Sequence, residues 1–239
     1  MVADIEKTIK YPLNFKPLFI MGMIFAIIIV LSLFPMFLLG SKAAKESAAS
    51  EFFTLPMIVY YISFLASTVL ISLLISGYLI RVSRSMMAGN FDKAPKLNRI
   101  GDLFADGLKF LVLGFVYAIP PILIAILAVV FLKILGILLM FFLFPLFYVF
   151  HVASAHLAHT NSLRKALDIP FIYSMVFGNL KEFSLSLFFS FVATLVFSIA
   201  SILVVTYPFL IVASYVAMQY VFTIFYMEST RQQVENIPQ

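Results

Sequence analysis

Six long apolar runs dominate the sequence. A helix needs about 20 consecutive apolar residues to cross the hydrocarbon layer of a bilayer, and runs of that length are typical of membrane-spanning helices. The whole chain is 63% hydrophobic and 11% charged, which leaves too few polar side chains to cover a water-facing surface. We therefore predict six transmembrane helices, at about residues 18–39, 54–79, 110–131, 134–155, 185–205 and 207–227.

A weak internal repeat accompanies the odd-numbered runs. A chain-breaking residue and then a lysine precede the apolar stretch in "YPLNFKPLFIMG", "DGLKFLVLG" and "FGNLKEFSLS". Each even-numbered run carries a proline, namely Pro56, Pro145 and Pro208. The pattern predicts an all-α integral membrane bundle that forms one domain over residues 1–239 and consists of three pseudo-repeated helical hairpins. The alternative is that the bilayer imposes the same features on any six-span protein.

Basic residues lie mostly on one side of the predicted bundle. Thirteen of the sixteen Lys and Arg residues fall on the side of the two termini, and only Lys42, Lys45 and Lys133 fall on the opposite side. Because cytoplasmic loops carry the excess of Lys and Arg, we predict a multi-pass protein of the cell (plasma) membrane with both termini in the cytoplasm. The basic residues lie at helix ends rather than along one helix face, so nucleic acid is not expected as a partner.

The longest connection on the cytoplasmic side has the periodicity of an amphipathic helix. In "KLNRIGDLFADGLKF" the apolar positions recur every three or four residues, and the charged positions fall between them. We predict an interfacial helix that lies in the headgroup plane, begins after Pro95 and bends into the third span at Gly107. The next cytoplasmic connection predicts a similar helix around Pro170, with the apolar face Leu163, Ala166, Leu167 and Phe171.

Three stretches carry a family resemblance. They are "KYPLNFKPLFIMG" near the start, "GYLIRVSRSMMAG" at the end of the second span and "LFADGLKFLVLGFVYAIP" at the start of the third. The chain resembles an uncharacterised archaeal family of multi-pass membrane proteins, domain of unknown function 4013, over nearly its whole length. The resemblance implies an archaeal-type plasma membrane protein, with no established activity, cofactor or catalytic residue. The chain departs from the family in "FDKAPKLNRIGDLF", which is basic and lacks Trp where the family has an acidic, Trp-containing segment.

The sequence shows no pattern typical of an enzyme, and we predict no catalytic residue, cofactor or metal site. It has no Cys, no glycine-rich phosphate loop and no nucleophile beside a base. No ionisable residue lies near the middle of a predicted span, which argues against an ion-coupled pump. The three histidines, His151, His156 and His159, cluster at the end of the fourth span. Hydrogen bonding, metal binding and pH sensing are open alternatives for them.

Two groups of residues are candidates for binding. Basic side chains at cytoplasmic helix ends attract anionic lipid headgroups, at about 1 kcal/mol per charge. The group comprises Lys16, Arg81, Arg84, Lys93, Lys96, Arg99, Lys109 and Lys181. Polar side chains of the second and sixth spans are candidates for a polar seam inside the bundle. This second group comprises Ser72, Ser76, Tyr215, Gln219 and Tyr220.

These candidates favour a non-enzymatic, lipid-associated or accessory (scaffold) membrane protein. Its expected partners are membrane lipids, together with another membrane protein or further copies of the same chain. The alternative is a small transporter or channel for an uncharged or amphiphilic solute, which would pass between hairpins where prolines interrupt the spans. The prolines concerned are Pro35, Pro120, Pro121, Pro145 and Pro208.

Overall fold

The computed structural model describes residues 5–13, 19–28, 30–31, 55–91, 95–201 and 207–235. Within these ranges the chain is all helical and forms no strand, which confirms the predicted all-α class. The helices are α1 Ile5–Leu13, α2 Phe19–Ile28, α3 Leu55–Met87, α4 Ile100–Leu132, α5 Ile134–Leu143, α6 Val149–Thr160, α7 Leu163–Ala166, α8 Ile169–Gly178, α9 Leu180–Ala200 and α10 Tyr207–Glu235. A 3₁₀ turn, Phe144–Tyr148, lies between α5 and α6.

Four helices of the described ranges are long and apolar enough to cross a membrane. They are Tyr61–Met87 within α3, Ile100–Leu132, Leu180–Ala200 and Tyr207–Gln232 within α10. With 33 residues each, α3 and α4 are about 50 Å long. This exceeds the hydrocarbon thickness of about 30 Å, so both helices are long enough to project beyond the apolar layer.

The other two predicted spans differ from these four. The span at 18–39 coincides with α2 over Phe19–Ile28, while residues 29 and 32–39 lie outside the described ranges. The span at 134–155 is not one α-helix, because the 3₁₀ turn Phe144–Tyr148 separates α5 from α6. Pro145 lies in that turn, and its missing N–H together with its ring prevents a regular α-helix there.

The predicted surface helix before the third span is wrong in one respect. The amphipathic stretch does form a helix from Ile100, but that helix continues unbroken to Leu132. Gly107 therefore lies inside α4 and does not end an interfacial helix. Pro120 and Pro121 also lie within α4 without interrupting it.

The second predicted surface helix is divided into α7 and α8. Ser162 caps α7, with its hydroxyl oxygen 3.5 Å from the backbone N of Lys165. Asp168 caps α8 by accepting a hydrogen bond of 3.2 Å from the backbone N–H of Phe171. Pro170 lies in the first turn of α8, where its missing N–H leaves no hydrogen bond unmade.

Helix α10 lies at the centre of the bundle. In its most apolar stretch 67% of the residues are buried, against 22–28% in the other three candidate spans. It packs against α1, α3, α6 and α9 through small and branched side chains such as Ala213, Val216 and Ala217. The outward faces of α3, α4 and α9 remain apolar and exposed, as at Leu65, Phe131 and Phe191. An apolar exterior around a packed centre is the arrangement that a bilayer requires.

Helices α3 and α4 approach each other at a pair of glycines. A Cβ atom on Gly77 would overlap the carbonyl oxygen of Leu103, and a Cβ atom on Gly107 would overlap the carbonyl oxygen of Leu73. The two helices therefore contact backbone to backbone, which only glycine permits. This crossing places the C-terminal end of α3 beside the N-terminal end of α4. The charged residues of the two helices lie at these ends.

Candidate functional site

A network of buried polar side chains is centred on Gln219 of α10. Its amide nitrogen donates to the hydroxyl of Ser83 on α3 at 2.8 Å. Its amide oxygen accepts from Ser154 of α6 at 3.1 Å and lies 2.9 Å from Nδ1 of His151. Since that oxygen can only accept, His151 carries a proton on Nδ1. The Gln219 amide thus joins three helices through hydrogen bonds, each between buried groups.

The same network closes on itself through a threonine. The Thr223 hydroxyl donates to the backbone carbonyl of Gln219 at 2.7 Å, and the hydroxyls of Ser83 and Thr223 are 2.8 Å apart. Thr223 has used its one hydrogen, so Ser83 is the donor of that pair. Buried polar groups that satisfy one another in this way fix the relative positions of the helices.

The structure brings only part of the predicted polar seam together. Gln219 belongs to the network, but Tyr220 instead stacks on Tyr11 of α1, with 4.5 Å between ring centroids. Tyr215 is 44% exposed, and Ser72 is exposed while Ser76 is half-buried. Sequence reasoning missed Ser83, Ser154 and Thr223. For Thr223 the signal was the spacing of the polar residues 219, 223 and 226, which places them on one face of α10. Ser83 and Ser154 lie on other helices, and this spacing does not indicate them.

An ion-pair cluster ties the ends of α3, α4 and α6 together. The guanidinium of Arg84 binds both carboxylate oxygens of Asp106, at 2.5 and 3.1 Å, and donates to the side-chain oxygen of Asn161 at 2.9 Å. The ammonium of Lys109 lies 3.6 Å from the same carboxylate. Asp106 is only 4% exposed, so the two-pronged arginine contact provides the compensation that a buried carboxylate needs.

Arg81 anchors the segment that leads into α4. It donates to the backbone carbonyls of Lys96 and Asn98 at 2.9 and 2.6 Å, and to the Asn98 side chain at 3.1 Å. The guanidinium therefore satisfies carbonyls that no helix or strand would satisfy. Arg81 and Arg84 lie three residues apart on α3. Arg81 holds the α3–α4 connection in place, whereas Arg84 binds α4 itself and Asn161.

The predicted lipid-contact residues thus fall into four sets. Arg81 and Arg84 make the internal contacts just described. Lys109 is half-buried beside Asp106, whereas Lys96, Arg99 and Lys181 are exposed. Lys16 and Lys93 lie outside the described residues.

Two of the histidines converge on one tyrosine. The hydroxyl of Tyr226 lies 2.9 Å from Nδ1 of His156 and 3.0 Å from Nδ1 of His159. A phenol has one hydrogen to donate, so one of these histidines must itself donate to the phenol oxygen. Among the described residues, no group of three His, Cys, Asp or Glu side chains could hold a metal ion.

A cleft of about 260 Å³ lies between the end of α9 and the start of α10. Hydroxyl-bearing side chains contribute much of its lining, notably Thr194, Ser198, Tyr207, Ser214 and Tyr215. Thr194 has a buried hydroxyl that forms no hydrogen bond with the described residues. The cleft is chemically suited to a small uncharged group that can exchange hydrogen bonds with hydroxyls.

The fold and this distribution of polar groups define a class of protein, an all-α membrane protein of unknown activity. The model of the family described as "Protein of unknown function (DUF4013)" matches residues 60–206, more than half of the chain. The chain belongs to this family. No curated protein and no solved structure matches the chain. The matched region includes Gly77, Arg84, Asp106 and Gly107, so the α3–α4 contact lies within the part shared with the family.

Proposed function

We propose that the chain is a non-enzymatic, lipid-associated membrane protein that acts as an accessory or scaffold subunit. The observation that carries this proposal is the contrast between the centre and the exterior of the bundle. At the centre, the amide of Gln219 is engaged at both its nitrogen and its oxygen. The exterior is apolar along α3, α4 and α9. A centre that bonds to itself provides rigidity, and an apolar exterior provides a surface for lipids and other membrane helices.

The proposal includes six membrane crossings in three hairpins, with both termini in the cytoplasm of the plasma membrane. The interrupted segment of α5, the 3₁₀ turn and α6 serves as the fourth crossing. Irregular backbone is tolerated at membrane depth where protein surrounds it, and α6 beside the break is buried over Val149 and residues 151–158. The distribution of Lys and Arg supports the orientation.

Single-cysteine labelling tests this topology without background, because the chain has no Cys. We expect a membrane-impermeant maleimide to label Lys133→Cys, at the α4–α5 turn, from outside intact cells. Lys96→Cys, at the opposite end, should react only after the cells are permeabilised. Labelling of Lys96→Cys in intact cells would overturn the orientation.

Exposed basic side chains support the association with anionic lipid. Lys96 and Arg99 flank the start of α4 on the cytoplasmic side and are both exposed. Each contributes about 1 kcal/mol of attraction to an anionic surface. We expect Lys96→Glu/Arg99→Glu to retain less phosphatidylglycerol than the wild type during purification from mixed-lipid nanodiscs, as measured by mass spectrometry. The matched control Lys96→Arg/Arg99→Lys should retain the wild-type amount, and equal retention by the charge-reversed variant would contradict the proposal.

The cleft between α9 and α10 supports a second candidate function, a carrier or channel for an uncharged or amphiphilic solute. Its hydroxyl lining suits such a solute better than it suits an ion. Proteoliposomes swelling in glycerol faster than empty vesicles would favour this candidate, provided that Ser214→Leu abolishes the difference. Swelling at the rate of empty vesicles would leave the scaffold proposal as the better account.

A further inference from the structure

A second cleft lies between α9 and α10, near the start of α9 and the end of α10. Its volume is about 140 Å³, and it is lined by Lys181, Glu182, Leu185, Ser186, Phe189, Ile224 and Glu228. The charged residues occupy the end from which α9 begins. From Lys181 to Phe189 the lining changes from charged to apolar over about 12 Å of helix. This gradient resembles the passage from a lipid headgroup layer into hydrocarbon.

Three polar side chains of this cleft, those of Lys181, Glu182 and Ser186, are available to a ligand. Within the described residues, the side chains of Lys181 and Glu182 form no ion pair or hydrogen bond, although both line the cleft. The hydroxyl of Ser186 likewise forms no hydrogen bond with the described residues, and Ser186 is only 6% exposed. The Ser186 hydroxyl is not among the fully buried, unpartnered groups of the described residues, so it is accessible from the cleft and can donate its hydrogen to a bound group.

We infer that this cleft binds the headgroup of a zwitterionic phospholipid that carries a primary amine. The ligand's ammonium lies between the carboxylates of Glu182 and Glu228, and its phosphate lies against the ammonium of Lys181. Ser186 donates to a phosphate or ester oxygen, and the acyl chain follows Leu185 and Phe189 into the bilayer. Lys181 thus pairs with the phosphate of the lipid, and the two glutamates pair with its ammonium.

The size of the cleft limits which part of the lipid enters. Pockets that enclose a drug-sized ligand begin at about 300 Å³, so 140 Å³ admits the amine and phosphate of a headgroup but not a whole lipid. An anionic glycerol headgroup would place no positive charge near the two carboxylates. A trimethylammonium headgroup keeps its charge but has no N–H to donate. The cleft should therefore prefer the primary amine over both. This inference rests on the proposed function only in placing this end of the bundle in the headgroup layer.

The test is a titration of the purified full-length protein in detergent, followed by native mass spectrometry. The probes are short-chain phosphatidylethanolamine, phosphatidylcholine and phosphatidylglycerol. We expect phosphatidylethanolamine to bind about tenfold more tightly than phosphatidylcholine, the difference expected for losing one charge-assisted hydrogen bond. Glu182→Gln/Glu228→Gln should remove that preference, and Lys181→Gln should weaken the binding of both lipids alike. Asp102→Asn, an exposed acid on α4 that is not among the residues lining the cleft, is the control and should leave the preference unchanged.

Equal affinities in the wild type, or a preference that survives the double variant, would overturn the inference. If Glu228→Gln disturbs folding, Glu182→Gln alone decides, because Glu182 lies in the first turn of α9. Failure here is distinct from failure of the proposed function. The latter depends on phosphatidylglycerol retention at Lys96 and Arg99, which lie in a different part of the chain.

Discussion

Replacing Gly107 with Ala should loosen the whole α3–α4 hairpin. The added Cβ would lie under 3.0 Å from the Leu73 carbonyl oxygen, a separation that real Cβ atoms essentially never show. Because the obstacle is backbone, relief requires the two helices to move apart. Asp106 precedes Gly107, so this movement also lengthens the 2.5 Å contact between Arg84 and Asp106.

The expected size of the effect follows from three contributions. Removing a glycine from a helix interior stabilises the helix by about 1 kcal/mol. Overpacking at the crossing costs about 1–3 kcal/mol, and weakening a hydrogen bond to a charged group costs about 1.5–3 kcal/mol. The net result is a destabilisation of about 1.5–5 kcal/mol. For a chain of this length that corresponds to a fall in Tm on the order of 3–20 °C.

Two glycines of the same helix provide matched controls. A Cβ on Gly101 or on Gly114 would meet no atom within 4 Å, so these substitutions carry the helix benefit without the clash. We expect Gly101→Ala and Gly114→Ala to leave the Tm unchanged or raise it slightly. The assay is the loss of the monodisperse peak in size-exclusion chromatography after heating in detergent. If Gly107→Ala were as stable as these two controls, the backbone contact between α3 and α4 would not exist as described.

The remaining predictions concern the polar groups. Arg84→Leu and Asp106→Leu should each destabilise the protein by about 2–4 kcal/mol, because each removes the two-pronged contact that compensates a partly or fully buried charge. The double variant should cost less than their sum, and strict additivity in the thermal assay would refute the pairing. Gln219→Leu should cost about 2–4 kcal/mol, since it leaves Nδ1 of His151 without its partner and removes one of the hydrogen bonds made by each of Ser83 and Ser154, and an unchanged Tm would show that the network is not formed.

The class of all-α membrane protein could be predicted from the sequence, because each spanning helix is marked by a single continuous run of residues. A run of about 20 apolar residues is recognisable without knowledge of the rest of the chain, and α3, α4, α9 and α10 confirm four such runs. Pro145 lies where the fourth run is interrupted, whereas Pro120 and Pro121 are accommodated inside α4. Sequence alone does not separate these cases, since the outcome depends on whether neighbouring groups re-satisfy the freed backbone.

The roles of the arginines could not be derived from local sequence. Basic side chains at a helix end are typical of contacts with lipid headgroups, and Lys96 and Arg99 fit that expectation by their exposure. Arg84, however, meets Asp106 from 22 residues further along the chain and Asn161 from 77 residues further. Such partners become visible only once the helices are packed. The same is true of Gln219, whose partners Ser83 and His151 lie 136 and 68 residues away.

Two sequence motifs, one near the end of α3 and one near the start of α4, bear on where the activity of this protein lies. "GYLIRVSR" contributes Gly77, Arg81 and Arg84, and "DGLK" contributes Asp106 and Gly107. All five are used in the helix crossing or in anchoring the connection between the two helices. Motifs that are engaged in internal contacts specify architecture, and they leave no free group for a substrate. The chemistry that distinguishes this chain should therefore lie on its exposed elements, such as the basic segment before α4 and the charged cleft between α9 and α10. Charge substitutions there should change which lipids co-purify while leaving the Tm unaltered, whereas substitutions in the two motifs should do the opposite.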